Sequence, residues 1–230
     1  KDTKSADFQQ KVAPYYNDLD GAKENKGDTI KSDDADKISQ LEVLKIQAQN
    51  CRECDLGYER LNCVFGSGNP NAQLMFVGEG PGFKEDHEGL PFIGRAGELL
   101  TKIIEAMGYK REQVYITNIV KCHPMKDPTN PQSRSNDRPP TPEESACCKK
   151  FLDQQIEIIQ PKIIVALGAP SAKLLLQTQE PISALRGKFF SYKNISLMPT
   201  YHPAALLRNP SLKKDVWKDM QAVMKFLQTK

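Results

Sequence analysis

Six cysteines are the first residues of this chain whose spacing suggests chemistry, and they lie at positions 51, 54, 63, 122, 147 and 148. Cys51 and Cys54 form a CxxC pair, which occurs in zinc sites, in redox pairs and in iron–sulfur sites. A redox pair normally opens a helix directly after a strand, whereas this pair is predicted to follow a helix. Four thiolates from separate segments bind either zinc or a 4Fe-4S cluster, and spacing alone leaves both open. A metal or cluster site of this kind, rather than disulfides, indicates a reduced intracellular chain.

A glycine-rich loop, Gly78-Glu79-Gly80-Pro81-Gly82, follows a short apolar run. It is neither the dinucleotide pattern GxGxxG nor a phosphate loop, which would need a following lysine. Glycines let the backbone approach a ligand closely, but a plain glycine turn would not explain the carboxylate of Glu79 among them. Glu85 and Asp86 follow, and Phe92 brings an aromatic ring onto the same segment. A carboxylate, backbone donors and a ring suit the capture of a flat heterocycle.

Two polar side chains are predicted at the ends of strands. Asn118 lies in the predicted strand 114–120, where asparagine is disfavoured. If it stands at the carboxyl end, where open α/β sheets bind ligands, its amide can read the hydrogen-bonding edge of a heterocycle. The alternative is an ordinary polar residue at a strand end. His202 directly follows another predicted strand, and Pro203 pre-sets a helix start after it.

The helix that begins at Pro203 carries apolar residues and then a cation. Leu206 is predicted as a wedge that enters DNA, and Arg208 as a phosphate contact. A buried helical turn is the alternative interpretation.

The elements that must position these residues alternate between strand and helix. Apolar runs predict strands at 73–77, 114–120 and 162–167, and a hairpin of 188–192 with 195–199. Apolar stripes at helical spacing predict helices at 38–49, 96–107, 142–159 and 212–227. The proline-rich stretch 124–142 is predicted as a long loop. This alternation is typical of a parallel sheet covered by helices.

Charge and hydropathy divide the chain into two parts. Residues 1–40 hold seven Lys and nine Asp or Glu, a net charge of −2. Because the whole chain carries a net charge of +3, the remaining residues carry +5. We therefore expect a flexible polar tail at 1–40 and one domain at 41–230. A mildly basic domain is suited to binding a polyanion, although a net charge of +5 is equally compatible with ordinary surface charge. No apolar run is long enough to span a membrane and no secretory signal is visible, so a cytoplasmic location is expected.

These motifs together resemble the family 4 (iron–sulfur, thermostable-type) uracil-DNA glycosylases of bacteria and archaea. The similar stretch runs from about Ala48 to Gln228. It includes the CxxC pair, the segment FGSGNPNAQLMFVGEGPG, GLPFIGRAG ending at position 97, VYITNIVKCHP at 114–124, PKIIVALG at 161–168 and YHPAALLRNP at 201–210.

The resemblance implies a fold, an activity and a set of site residues. The fold would be a three-layer α/β/α sandwich with a central four-stranded parallel sheet. The activity would be release of free uracil from DNA in base excision repair, with no lyase step. The implied roles are a uracil pocket and water contact for Gly78, Glu79 and Gly80, ring stacking for Phe92, base reading for Asn118, contact with the pyrimidine O2 for His202, and catalytic help from Glu85.

The resemblance also implies a 4Fe-4S cluster held by Cys51, Cys54, Cys122 and Cys148. In the family, a ligand stands six residues after the proline that opens the helix and three before its phenylalanine, and here that residue is Cys148. Adjacent helical positions diverge by about 100°, so Cys147 and Cys148 cannot both reach one iron. Cys63 and Cys147 are then free thiols. The loop 124–142 looks longer than usual for the family, so the asparagine expected there is not assigned to Asn136.

Two other functions remain compatible with the sequence. One is a non-catalytic DNA-binding module that carries zinc or a cluster, and the other is the amino-terminal domain of a phage-type polymerase. The expected partner is single- or double-stranded DNA, bound by a monomer. Residues 9–16 resemble a sliding-clamp-binding peptide, with a glutamine, an aliphatic residue and two aromatic residues at the expected spacing.

Overall fold

One six-stranded sheet forms the centre of the part of the chain that the computed structural model describes, residues 32–229. The strands are β1 (Ser67–Gly68), β2 (Leu74–Gly78), β3 (Tyr115–Asn118), β4 (Ile163–Leu167), β5 (Phe190–Tyr192) and β6 (Ile195–Thr200). Their order across the sheet is β1-β3-β2-β4-β6-β5. The four central strands are parallel, and β1 and β5 add an antiparallel edge on each side. The predicted parallel sheet is confirmed, with two short strands beyond it.

Helices cover both faces of this sheet. They are α1 (Ser32–Asn50), α2 (Leu56–Glu59), α3 (Phe83–Glu88), α4 (Arg95–Ala106), α5 (Pro142–Ile159), α6 (Ala169–Leu176), α7 (Ile182–Leu185), α8 (Pro203–Arg208) and α9 (Lys213–Thr229). Every residue of β2, β3 and β4 is buried, as expected for parallel strands that are covered on both sides. One core cluster joins α1, α5, α6 and α7 to the sheet, and a second joins α4, α8 and α9 to it. The three-layer prediction is confirmed.

The helix α5 has strong signals at both ends. The hydroxyl of Thr141 accepts a hydrogen bond from the Glu144 main chain, and the Glu144 carboxylate accepts one from the Thr141 main chain. This capping box, with Pro142 in the first turn, fixes the start at the predicted residue. Gln160, in a left-handed conformation, ends the helix. The capped start sets which residues of α5 face the sheet, among them Cys148.

The helix α1 begins earlier than predicted. It starts at Ser32 rather than near residue 38, so the predicted start is wrong by six residues. The ammonium of Lys37 donates to the main-chain oxygen of Ile159, 3.1 Å away, and Leu41 and Leu44 enter the core. Packing against α5 therefore supports a helical turn whose own residues are mostly charged. The rest of the predicted tail and the clamp-like segment 9–16 lie outside the described residues.

No helix within residues 32–229 is both long enough and apolar enough to cross a membrane.

Candidate active site

Four loops meet at the carboxyl edge of the parallel strands. β2 ends at Gly78 and β3 at Asn118, and these two residues pair in the sheet register. Beyond Asn118, the main-chain N–H groups of Ile119 and Val120 donate to the oxygens of Gly78 and Glu79. The glycine-rich loop is therefore fastened along the extension of β3. Because parallel strands end at a common edge, the loops after β4 and β6 arrive beside it.

Gly78 lies between an amide and an aromatic ring. A Cβ at this position would collide with Oδ1 of Asn118 and with the ring of Phe92. Only glycine lets these two side chains come together at the end of β2. The predicted base reader and the predicted stacking ring thus line the same small space, although they lie 26 residues apart in the chain.

Phe92 is held in an uncommon backbone conformation. Its φ is 53°, in the left-handed region, which costs a bulky residue about 1 kcal/mol or more. A Cβ on Gly97 would collide with the Phe92 carbonyl, so the turn closes against a glycine. The carboxylate of Glu85 accepts hydrogen bonds from the main-chain N–H groups of Ile93 and Gly94, at 3.0 Å and 2.9 Å. Glu85 therefore braces the turn that carries the ring.

His202 reaches the same space from the end of β6. The centroid of its ring lies 5.6 Å from that of Phe92. Nδ1 of His202 accepts a hydrogen bond from the main-chain N–H of Ala204 at 3.1 Å, which caps the start of α8. The proton of a neutral ring is then on Nε2. Burial, together with the positive charge of Arg208, lowers the pKa of His202 to about 4. The ring is therefore neutral near pH 7 and presents Nε2–H as a donor.

Two oxygen atoms in this space are buried and have no hydrogen-bond partner among the described residues. They are Oδ1 of Asn118 and Oε1 of Glu79. Burial raises the pKa of Glu79 above its usual value. Buried polar atoms are normally hydrogen-bonded, so both oxygens are available to a bound molecule.

His123 and two aspartates form a chain of contacting ionisable groups next to the glycine-rich loop. His123 contacts the buried carboxylate of Asp86 at 3.5 Å through Nδ1, and Asp137 at 2.7 Å through Nε2. Burial favours a lower pKa for His123, but the hydrogen bonds and charges of Asp137 and Asp86 outweigh it and raise the pKa to about 9. A Cβ on Gly82 would lie 3.4 Å from Asp137 and 3.2 Å from Glu85. Two carboxylates therefore approach the loop together.

Five cysteines line one cavity between α1, α5 and the segment after β3: Cys51, Cys54, Cys122, Cys147 and Cys148. The guanidinium of Arg60 donates to Sγ of Cys122 at 2.9 Å, and the main-chain N–H of Lys121 donates to Sγ of Cys148 at 3.3 Å. Burial raises the pKa of the Cys122 thiol and, with a smaller opposing effect from the charge of Lys121, that of the Cys148 thiol. A positive centre that bound the sulfurs would offset this cost.

The spacing of these sulfurs bears on what the cavity can hold. No three Cys, His, Asp or Glu side chains within residues 32–229 are grouped as ligands of a single metal ion. Thiolates of one zinc ion, each about 2.3 Å from the metal, must lie within about 4 Å of one another. Cys148 is buried and Cys147 is only partly buried, whereas Cys63 is absent from the lining.

One known protein family matches more than half of the chain. The family model described as the uracil DNA glycosylase superfamily matches residues 65–221. The chain belongs to the uracil-DNA glycosylase superfamily.

Curated relatives narrow the assignment to the type-4 family. The chain is 43% identical over 195 residues to the type-4 uracil-DNA glycosylase of Sulfurisphaera tokodaii, covering 81% of this chain and 84% of the relative. It is 40% identical over 202 residues to the type-4 enzyme of Saccharolobus solfataricus, covering 84% and 89%. It is 41% identical over 191 residues to that of Thermotoga maritima, covering 81% and 94%. The resemblance predicted from the motifs is confirmed.

One residue predicted for this glycosylase-family site does not lie at the surface. Leu206, the expected DNA wedge, is 1% exposed and packs in the core between α8 and the sheet. Its neighbour Leu207 is 41% exposed, and Arg208 is exposed at the end of the helix. Successive helical residues point about 100° apart, so the phase of this short helix decides which leucine reaches the surface.

The sequence also left some residues of the site unassigned. Asn136 is buried, and its amide binds the main chain of Asp127 and Asn130, so it holds the long loop together. Asp137 instead faces the glycine-rich loop. Asp137 and the buried Lys121 were not predicted from the motifs. The signal for Lys121 was a lysine between the predicted strand 114–120 and Cys122.

Proposed function

We propose that this chain hydrolyses the N-glycosidic bond of deoxyuridine in DNA and releases free uracil, the first step of base excision repair. The observation that carries the proposal is the space at the end of β2, where Gly78 lets the amide of Asn118 and the ring of Phe92 come together. The names of the type-4 relatives support the same activity. Because a base in a duplex is stacked, the nucleotide must first rotate out of the helix.

Asn118 would select uracil. Uracil offers an acceptor at O4 and a donor at N3, and an amide can donate to the first and accept from the second. Oδ1 of Asn118, which is buried and has no partner among the described residues, would accept from N3–H. Cytosine carries a donor at position 4 and an acceptor at N3, so the same amide orientation opposes it. The ring of Phe92 would stack on the face of the base.

His202 and Glu79 would act on the charges that develop in the reaction. The C1′–N1 bond breaks with its electron pair moving to uracil, which becomes an anion, while the sugar becomes cationic. The neutral His202 ring would donate Nε2–H to O2 as negative charge grows there. Glu79 would orient a water molecule that adds to C1′, accept its proton and oppose the sugar charge. Glu85 is a weaker candidate because one of its oxygens already accepts two main-chain hydrogen bonds.

No lyase step is proposed. The buried ammonium of Lys121 donates to three acceptors, so this lysine is not available as a nucleophile. The test is to incubate the protein with a uracil-containing oligonucleotide, with and without hot alkali. We expect strand breakage only after alkali, and none with a thymine-containing control. Binding without base release would instead support a DNA-binding module.

We propose that Cys51, Cys54, Cys122 and Cys148 hold a 4Fe-4S cluster. The cavity that they line, with the Arg60 guanidinium beside one sulfur and the Lys121 main-chain N–H beside another, fits a negatively charged cluster. The cluster would supply a structural link between the loop after α1, the end of β3 and α5. A colourless protein with one zinc per chain would contradict this proposal.

Leu207 and Arg208, exposed at the end of α8 near His202, are proposed to enter and contact the DNA. Binding as a monomer and an intracellular location remain predictions. The clamp-like segment 9–16 also remains a prediction, and titrating a sliding clamp with a peptide covering residues 5–20 tests it.

A further inference from the structure

Lys121 is a buried cation just beyond the end of β3. Its side chain is 1% exposed. Its ammonium donates to Oγ1 of Thr117, to the main-chain oxygen of Asn118 and to Oε1 of Gln155, each at 2.7 Å. An ammonium has three protons, so every donor is used. A buried charge is tolerated only with such complete pairing.

The main chain of Lys121 points to the cysteine cavity. Its N–H donates to Sγ of Cys148 at 3.3 Å, and the next residue is Cys122. One residue therefore contacts a proposed cluster ligand through its main chain and the proposed base reader through its side chain.

Lys121 also lines the cavity that holds five of the cysteines. Arg60 donates to Cys122 from another direction. A 4Fe-4S cluster with four thiolates carries two net negative charges in its oxidised form, which matches these two cations. Lys121 therefore lines the cysteine cavity and also supports the end of β3.

Gln155 fixes the position of the ammonium. Its Nε2 donates to the main-chain oxygen of Phe65 at 2.9 Å and to the hydroxyl of Tyr115 at 3.2 Å. Its Oε1 accepts from both Lys121 and Thr117. The amide is used at both ends and is fully buried, so its orientation is fixed.

Oδ1 of Asn118 has no hydrogen-bond partner among the described residues, so the position of the Asn118 main chain helps to set where its side chain lies. We propose that Lys121 is a positioning residue that ties Asn118 to the cysteine cavity: its N–H holds Cys148, and its ammonium holds the carbonyl of the residue that reads the base. This inference rests on the proposed uracil excision and on the proposed cluster.

The test is a double-mutant cycle on the full-length, iron-loaded protein. Lys121→Met keeps the length of the side chain and removes the ammonium. We expect single-turnover excision of uracil to fall about tenfold or more, since the base reader loses its support, with unchanged affinity for DNA that carries an abasic-site analogue. In the Asn118→Ala background the same substitution should change the rate by less than about twofold.

Three comparisons make the result decisive. Lys193→Met, in the hairpin turn at the opposite edge of the sheet, should match the parent protein in rate and iron content. Lys121→Met should lose iron to a chelator faster than Lys193→Met does, which is a readout independent of activity. If Lys121→Met does not fold, Thr117→Val is the second variant, because it removes one acceptor of the ammonium and keeps the charge. Its loss in excision rate should be smaller than that of Lys121→Met. That loss should also disappear in the Asn118→Ala background.

If the losses in excision rate from Lys121→Met and Asn118→Ala multiply in the double variant, the inference is overturned. A parent-like excision rate and parent-like iron retention in Lys121→Met would overturn it as well. A parent protein that releases no uracil would instead contradict the proposed function, so the two failures can be told apart.

Discussion

Nδ1 of His202 accepts a hydrogen bond from the main-chain N–H of Ala204, two residues further along the chain. The helix start thereby selects one tautomer of the ring and directs its remaining N–H into the space beside Phe92. A donor that is neutral and fixed in place is suited to a charge that appears only during the reaction.

Replacing His202 with alanine should therefore slow single-turnover excision by about 100-fold, the usual effect of losing one such donor. DNA affinity should change little, because the donor acts on a developing charge. Rapid-quench assays with saturating enzyme, together with binding to an abasic-site analogue, measure the two quantities. Equal losses of rate and affinity would mean that the histidine has only a structural role.

The pKa of His202 also predicts how stability depends on pH. The folded-state pKa is about 4, below the ordinary value of 6.5, so the unfolded chain binds more protons between these values. The contribution of the neutral, partly buried ring is complete above about pH 6.5 and is lost as pH falls toward 4. The difference in melting temperature between the parent and His202→Gln should shrink over that interval. A constant difference from pH 7 to pH 4 would argue against a depressed pKa.

Replacing Asn118 with aspartate should abolish most excision of uracil. A carboxylate accepts hydrogen bonds and cannot donate to O4, so the loss should be at least about 100-fold. Asn194→Asp, in the exposed turn between β5 and β6, is the matched control and should retain the parent rate. Parent-like excision by Asn118→Asp would remove this residue from the base pocket.

The two adjacent cysteines should respond differently to substitution. Cys148→Ser should lose iron and the visible absorbance of a thiolate-bound cluster, because its sulfur is buried beside Lys121. Cys147→Ser should retain both, since its sulfur lies near Glu53 at the partly exposed rim. Iron analysis of the purified variants decides between them, and the reverse pattern would transfer the fourth ligand to Cys147.

Leu207 should matter for duplex DNA more than for single strands. If its side chain fills the gap left by a flipped nucleotide, Leu207→Ala should lower excision from a G·U duplex by about tenfold and leave single-stranded substrate almost unaffected. Both substrates are compared under single-turnover conditions. Equal losses on the two substrates would exclude the wedge role.

The sequence predicted the elements that depend on local patterns. The apolar runs located β2, β3 and β4 within a few residues, and the threonine, proline and glutamate pattern at 141–144 located the start of α5. Asn118 was proposed because asparagine is disfavoured within a strand, and His202 because it directly follows one. These signals are local, so a single sequence is enough to recognise them.

The missed features depend on contacts between distant segments. The turn of α1 before residue 38 is mostly charged, and its packing against α5 was not visible from its own residues. Burial of Leu206 instead of Leu207 follows from the rotation of a six-residue helix, too short to show a period. The approach of Asp137 to Gly82 depends on how the long loop folds around Asn136.

The close packing of Gly97 against the Phe92 carbonyl has a consequence for the order of events in recognition. The main chain of Phe92 is in the left-handed region, and the N–H groups of the next two residues are hydrogen-bonded to Glu85. The ring of Phe92 is therefore preorganised before DNA binds. The conformational entropy of that turn is lost during folding rather than during binding. We therefore expect the Phe92 turn to rearrange little when a flipped base binds against it.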